Sequence, residues 1–198
     1  MNRSYFFERI RHALFGGRLT PPQVDGVRRL LDYRDTHYAR MSDDQLAYVL
    51  ATIKWETGHR MVPVREAGGE RYLKTKKYYP WVGEGLVQVT WEENARKFGA
   101  TKPGDLMSWP LALQAAFDGM SKGLFTRRKL SDYIADGGVD YIGARHIING
   151  QDHARVIAQA AHAFRDALRQ AQQKPDVSKV LAQKEKEKSN GQIGRAHV

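Results

Sequence analysis

The chain has 198 residues, 41% of them hydrophobic and 27% charged, with a formal net charge of +10. That composition suits one soluble domain with a full core, and the lack of cysteine excludes disulfides, thiol nucleophiles and thiolate metal sites. The basic balance favours polyanionic surroundings, whether nucleic acid, anionic lipid or an acidic cell wall.

In chain order, residues 4–15 and 23–33 read as short helices separated by "FGGRLTPPQ", whose glycines and prolines mark a turn. The opening segment is broken by Glu8, Arg9, Arg11 and His12. It therefore lacks the uninterrupted apolar stretch of a secretory signal, and a cytoplasmic site of synthesis is expected. Ser42-Asp43-Asp44 gives an N-terminal cap with Gln45 three residues on. The helix that follows carries Leu46, Val49, Leu50 and Ile53 on one face. Seven residues make almost two turns, so Glu56 falls about 20° from Val49 and on the inner face. That is an unusual place for a carboxylate.

Residues 63–87 are rich in Gly, Lys and Tyr without a sustained period, and predict an extended loop or short hairpin. Further helices are expected near Trp91, after Trp109-Pro110 and over "KLSDYIADGG". A last helix, capped by Asp152, carries the stripe Ile157, Ala160, Ala161, Phe164 and Leu168. The fold class is mainly α, in one domain over 1–172. Residues 173–198 are polar and charged and read as a disordered tail. The final "QIGRAHV" resembles a translated sequencing adapter, so no function is expected of residues 192–198.

Two glutamates ten residues apart, Glu56 and Glu66, raise the question of paired carboxylate chemistry. Taken singly, Glu56 reads as an ion-pair partner of Lys54, Arg60 or Arg65, and Glu66 as a solvated loop carboxylate. Glycosidic hydrolysis, however, needs one carboxyl protonated and another ionised. Downstream pieces strengthen that second reading: Glu56-Thr57, Arg65-Glu66, Tyr78-Tyr79, Gly83-x-Gly85, Gln88-x-Thr90-Trp91 and Ile148-Asn149-Gly150, in that order. The ordered set resembles glycoside hydrolase family 19, inverting chitinases and phage or prophage endolysins with a lysozyme-like fold. "FGGRLTPPQVDG" and "GLFTRRKLSDYI" are similar to its endolysin branch, and the resemblance spans roughly residues 4–170.

The resemblance implies an endo-acting β-1,4-glycosidase acting on peptidoglycan, with chitin as the alternative substrate. It makes Glu56 the general acid and Glu66 the general base, with Thr90 helping to hold the attacking water. Gln88, Asn94 and Asn149 would hydrogen-bond the N-acetyl sugar, Tyr79 would offer a ring face, and Arg165 would sit in the charge network near the acid. Trp91 is expected to pack in the core rather than touch ligand. No cofactor or metal is implied, and the seven histidines show no ligand spacing. A monomer is expected, approaching the anionic envelope through its basic surface after release from the host cytoplasm.

The sequence departs from the family pattern at three points. Glu84 replaces the arginine usual between the two glycines, Trp55 replaces a histidine before the acid, and Ala95 replaces a tyrosine after Asn94. Glu70 and Glu84 thereby compete with Glu66 for the base role. Two other classes stay open: a basic nucleic-acid-binding protein, and a non-catalytic glycan-binding relic of the same fold.

Overall fold

Each early helix starts on a side-chain cap. A computed structural model of the chain describes residues 1–175. Asn2 accepts from the Tyr5 N–H to open α1 (Arg3–Leu14). Thr20 and Gln23 form a reciprocal capping box with Pro21 in the first turn of α2 (Pro21–His37). Ser42 accepts from the Gln45 N–H at 3.2 Å and begins α3 (Asp43–Glu56). These caps satisfy amide donors that the first helical turn leaves without carbonyl partners.

Every residue of α3 from Leu46 to Lys54 is buried. A helix buried on all sides is a central one, packed round by other elements. After it, the backbone makes β1 (Val64–Arg65), then α4 (Gly69–Leu73), and returns as β2 (Glu84–Gly85). The two strands pair antiparallel with Val64 opposite Gly85 and Arg65 opposite Glu84, and Glu84 also bridges to Val89. The hairpin expected within 63–87 is therefore present. The short helix near Trp91 is α5 (Glu92–Arg96).

Pro110 stands in the first turn of α6 (Trp109–Lys122), and Gly123 in the left-handed region ends it. Near the end of α6, a Cβ on Gly119 would meet two Phe125 ring atoms at 2.2 Å, so the ring seats against bare backbone. We expect Gly119→Ala to lower stability by about 1–2 kcal/mol, overpacking outweighing alanine's better helix propensity. Thermal unfolding should register a fall of about 5 °C; an unchanged midpoint would mean that the ring relocates freely.

"KLSDYIADGG" departs from the expected helix. Residues Leu130–Asp132 form a single 3-10 turn, followed by β3 (Ile134–Ala135) and β4 (Gly138–Val139). The register pairs Ala135 with Gly138, so Asp136-Gly137 is a two-residue hairpin loop, a strong local turn signal. Turn chemistry prevails over helical spacing here.

The last helix among the described residues, α7 (Ala154–Gln173), packs chiefly along α3 and α1. Its buried stripe includes Ile157, Ala161, Phe164 and Leu168, with Ala160 at the edge. Asp152 does not cap it. His153, at φ 56°, precedes the first turn without a side-chain cap, and the Asp152 carbonyl accepts from Arg145 Nε at 3.0 Å. The helix extends through Gln173, one residue into the expected tail, while residues 176–198 lie outside the described chain. Among the described residues, no helix is long and apolar enough to cross a membrane.

Candidate active site

The end of α3, the hairpin with α5, and the segment before α7 enclose a cleft of about 490 Å³. Its walls include Glu56, Tyr78, Gln88, Thr90, Trp91, Asn94, Phe125 and Asn149. Five residues expected at the site therefore meet in one cavity: Glu56, Gln88, Thr90, Asn94 and Asn149. A slightly larger cavity of about 530 Å³ beside Tyr38, Arg40 and Ser121 has no carboxylate in its lining.

Glu56 closes α3 with its side chain 15% exposed, and its Oε1 accepts from Arg145 at 2.7 Å. Arg145 is 3% exposed, far too buried to remain unpaired cheaply. It lies in the 3-10 turn Gly143–Ile147 and reaches Glu56 across 89 residues of sequence. This replaces the expected partners of Glu56. Arg165 is not in the charge network; it points to its neighbour Asp166 at 2.9 Å, on α7. A carboxylate one residue away captures that guanidinium locally.

Glu66 is half-buried and does not itself line the cleft. Its Oε1 accepts from the Tyr78 hydroxyl at 2.8 Å and its Oε2 from the Gly83 N–H at 2.9 Å. Tyr78 lines the cleft, so the carboxylate stands behind a cleft-wall phenol. The hydrogen bond to Glu66 is the main cause that pushes the Tyr78 hydroxyl up to about 12, which keeps it a donor over the working pH range of most enzymes. Gly83 permits the convergence. A Cβ there would lie 3.0 Å from Gln88 Oε1 and 3.4 Å from both Glu66 Oε2 and Thr90 Oγ1.

Glu66 is thus the carboxylate grouped with Thr90 and Gln88, and its two rivals are engaged elsewhere. Glu70 is exposed, pairing with Arg65 and accepting from the Tyr79 hydroxyl at 3.2 Å. That contact also takes Tyr79 away from the cleft, where Tyr78 stands instead. Glu84 is 4% exposed, and both its oxygens accept from the Gly104 N–H at 2.9 Å. Burial raises its carboxyl titration, opposed by the Gly104 N–H and the charge of Arg65.

Because the folded state prefers protonated Glu84, stability should fall as pH rises from about 4 through that raised titration. Glu84→Gln keeps one acceptor for Gly104 and removes the buried charge. Its melting temperature should change less over this range and exceed that of the parent at neutral pH. A parallel pH profile in the two proteins would contradict this assignment.

The amides are held by backbone before any ligand arrives. Gln88 sits at φ 53° and donates to the Val64 carbonyl at 2.9 Å, leaving Oε1 without a donor among the described residues. Asn94 donates to Thr90 O and accepts from Lys97. Asn149 accepts from the Gly150 N–H, and its Nδ2 has no acceptor among the described residues. Of these amides, Gln88 Oε1 and Asn149 Nδ2 remain without partners among the described residues, one acceptor and one donor, the complement of an acetamido group or a pair of sugar hydroxyls. Trp91 is 47% exposed at φ 76° and meets Tyr78 edge-on at 5.5 Å. It is a cleft residue and not the core residue expected.

Compared with protein-family models, curated proteins and solved structures, the chain matches none. Its chemistry is read from the cleft. Among the described residues, no group of three or more His, Asp or Glu is arranged to hold a metal ion.

Sequence reasoning missed Arg145 and the hydroxyl role of Tyr78. The available signal for Arg145 was one arginine within the apolar "YIGARHII", where a lone cation calls for a buried partner. Tyr78 enters the sequence reading only as part of the Tyr78-Tyr79 motif, and nothing local indicates where its hydroxyl points.

Proposed function

We propose that the protein is an inverting endo-β-1,4-glycosidase of the glycoside hydrolase family 19 type. In this reading it is a phage or prophage endolysin that hydrolyses N-acetylglucosamine-containing peptidoglycan. The observation that carries it is a cleft lined by Glu56 at the end of one helix and by Thr90 and Gln88, with Glu66 behind the Tyr78 hydroxyl and grouped with Thr90 and Gln88 around Gly83. Inversion requires two carboxyls set far enough apart to admit a water beneath the sugar, and Glu56 ends α3 while Glu66 follows β1.

In this mechanism Arg145 holds Oε1 of Glu56, and Oε2 carries the proton to the leaving glycosidic oxygen. Water held by Thr90 and Glu66 attacks the anomeric carbon from the opposite face. The carbon–oxygen bond breaks as Glu66 takes the water proton, and exchange with solvent restores both groups. Trp91 and Tyr78 offer the sugar an aromatic wall, and Gln88 Oε1 and Asn149 Nδ2 fix its polar groups. The chain acts as a monomer, made in the host cytoplasm and reaching the wall once the membrane has been permeabilised.

Digestion of purified sacculi and of chitin, followed by mass spectrometry of the fragments, tests this reading. New reducing ends on peptidoglycan, released first as the inverted anomer, are expected. Cleavage of chitin alone would move the substrate to the alternative. No reducing ends from either polymer, with tight binding retained, would indicate a glycan-binding relic.

A further inference from the structure

Two fully buried hydroxyls share a face of α3 with Glu56. Among the described residues, four buried side-chain polar atoms have no hydrogen-bond partner: Arg34 Nε, Ser121 Oγ, Tyr48 Oη and Thr52 Oγ1. The first belongs to a guanidinium already bonded through both of its other nitrogens, and Ser121 lines the cavity of about 530 Å³ beside Tyr38. Tyr48 and Thr52 are different. Both are fully buried in α3. With Glu56 they fall at i, i+4 and i+8, a spacing that makes successive members neighbours on a helix surface.

Neither hydroxyl takes the outlet open to its residue type. Thr36 and Thr57 donate to the carbonyl four residues back, at 2.9 and 2.7 Å, the ready local bond of a helical threonine. Thr52 makes no such bond. Tyr38, Tyr78, Tyr79 and Tyr141 each donate to a carboxylate, and Tyr48 does not. Its ring stacks on Tyr141 at 5.8 Å, a packing that phenylalanine would serve as well. An unpartnered buried hydroxyl is destabilising, so neither oxygen helps the fold.

Their charged surroundings are the ion pair. Burial is the chief cause that raises the Tyr48 titration; the Arg145 charge and the nearby Thr52 hydroxyl oppose it, and the charges of Glu56 and Asp140 add to it. Arg145 is itself buried, with Nε on the Asp152 carbonyl and Nη1 on Glu56 Oε1. When Glu56 holds the proton it will donate, its neutral carboxyl is a weaker acceptor than the carboxylate. The guanidinium then needs further oxygens, and a hydroxyl can turn its hydrogen away to present a lone pair.

We propose that Tyr48 and Thr52 are positioning residues, whose hydroxyls hold the Arg145 guanidinium against Glu56 while the carboxyl is protonated. The importance of that protonated state rests on the glycosidase reading. The placement of the hydroxyls beside Arg145 does not.

The test uses Tyr48→Phe and Thr52→Val, each close to its parent in shape, with Thr52→Ser as the variant that keeps a hydroxyl. Exchange of the Arg145 Nε–H with solvent, followed by NMR, reads the hold on the guanidinium without any substrate. Exchange should quicken about tenfold in the two apolar variants and stay near the parent rate in Thr52→Ser. A Glu56→Gln background replaces the carboxylate by a neutral group and should enlarge the Tyr48→Phe effect. Melting temperatures of both apolar variants should equal or exceed that of the parent. On sacculi, kcat for reducing-end release should fall about tenfold in each, with KM unchanged. Parent-like exchange in the folded variants overturns the proposal, as does a Tyr48→Phe effect no larger in the Glu56→Gln background. Parent-like kcat despite faster exchange overturns it too, and lowered melting temperatures with parent-like exchange assign the hydroxyls to packing. A parent that releases no reducing ends removes the glycosidase reading, and exchange alone then decides the hold on Arg145. Release by the parent with parent-like exchange in the variants keeps the glycosidase and removes the positioning role.

Discussion

Glu56→Gln should reduce release of reducing ends by about 10³-fold, the usual scale for losing a positioned general acid. The substitution also strips Arg145 of its counter-charge, so part of any loss could come from unfolding. Two measurements separate these effects. Assay well below the melting temperature removes the unfolded fraction, and binding of sacculi reports whether the cleft persists. Loss of turnover with binding retained assigns Glu56 to the chemistry. Turnover within tenfold of the parent, in a folded variant, would remove Glu56 from the acid role.

Arg145→Met should be the most destabilising single change at the site, by about 3 kcal/mol or more, because it leaves a largely buried carboxylate without its cation. For a domain of this size that is a fall of roughly 10 °C in melting temperature. Glu56→Gln/Arg145→Met should be more stable than Arg145→Met alone, since neither charge is then stranded. A double-mutant cycle measures this difference as the coupling between the two residues. Additive effects would mean that the 2.7 Å contact contributes nothing specific in solution.

The helical frame was legible because its determinants are local. Ser42 and Thr20 bond amides three residues away, and the spacing from Leu46 to Ile53 marks a helix, although α3 is buried on every side from Leu46 to Lys54 and not on that one face alone. Helix phase set Glu56 on the inner face and left Glu66 on a loop; only the resemblance carried by the downstream motifs joined them as a candidate pair. Choice of side-chain partner was not legible. Arg145 reaches Glu56 from a turn on the far side of the chain, whereas Arg165, closer to the expected pattern, has a neighbouring carboxylate to satisfy it. Glu84 shows the same difficulty. Its neighbours suggest a cleft residue, yet the Gly104 N–H draws it inward, and only the folded path of 101–107 reveals that donor. Asp136-Gly137 was a different kind of miss: the loop signal was present in the sequence, and helical spacing was weighted above it.

The packing of α7 against α3 also bears on how the protein is made. About a hundred residues separate the end of one helix from the start of the other, so α3 emerges from the ribosome long before its main cover exists. At translation rates of roughly 5–20 residues per second, its apolar surface waits several seconds for that partner. Arg145 emerges in the same late stretch, just ahead of α7. A nascent chain therefore has Glu56 without its guanidinium and half a cleft without the other, until the segment of Arg145 and α7 has emerged.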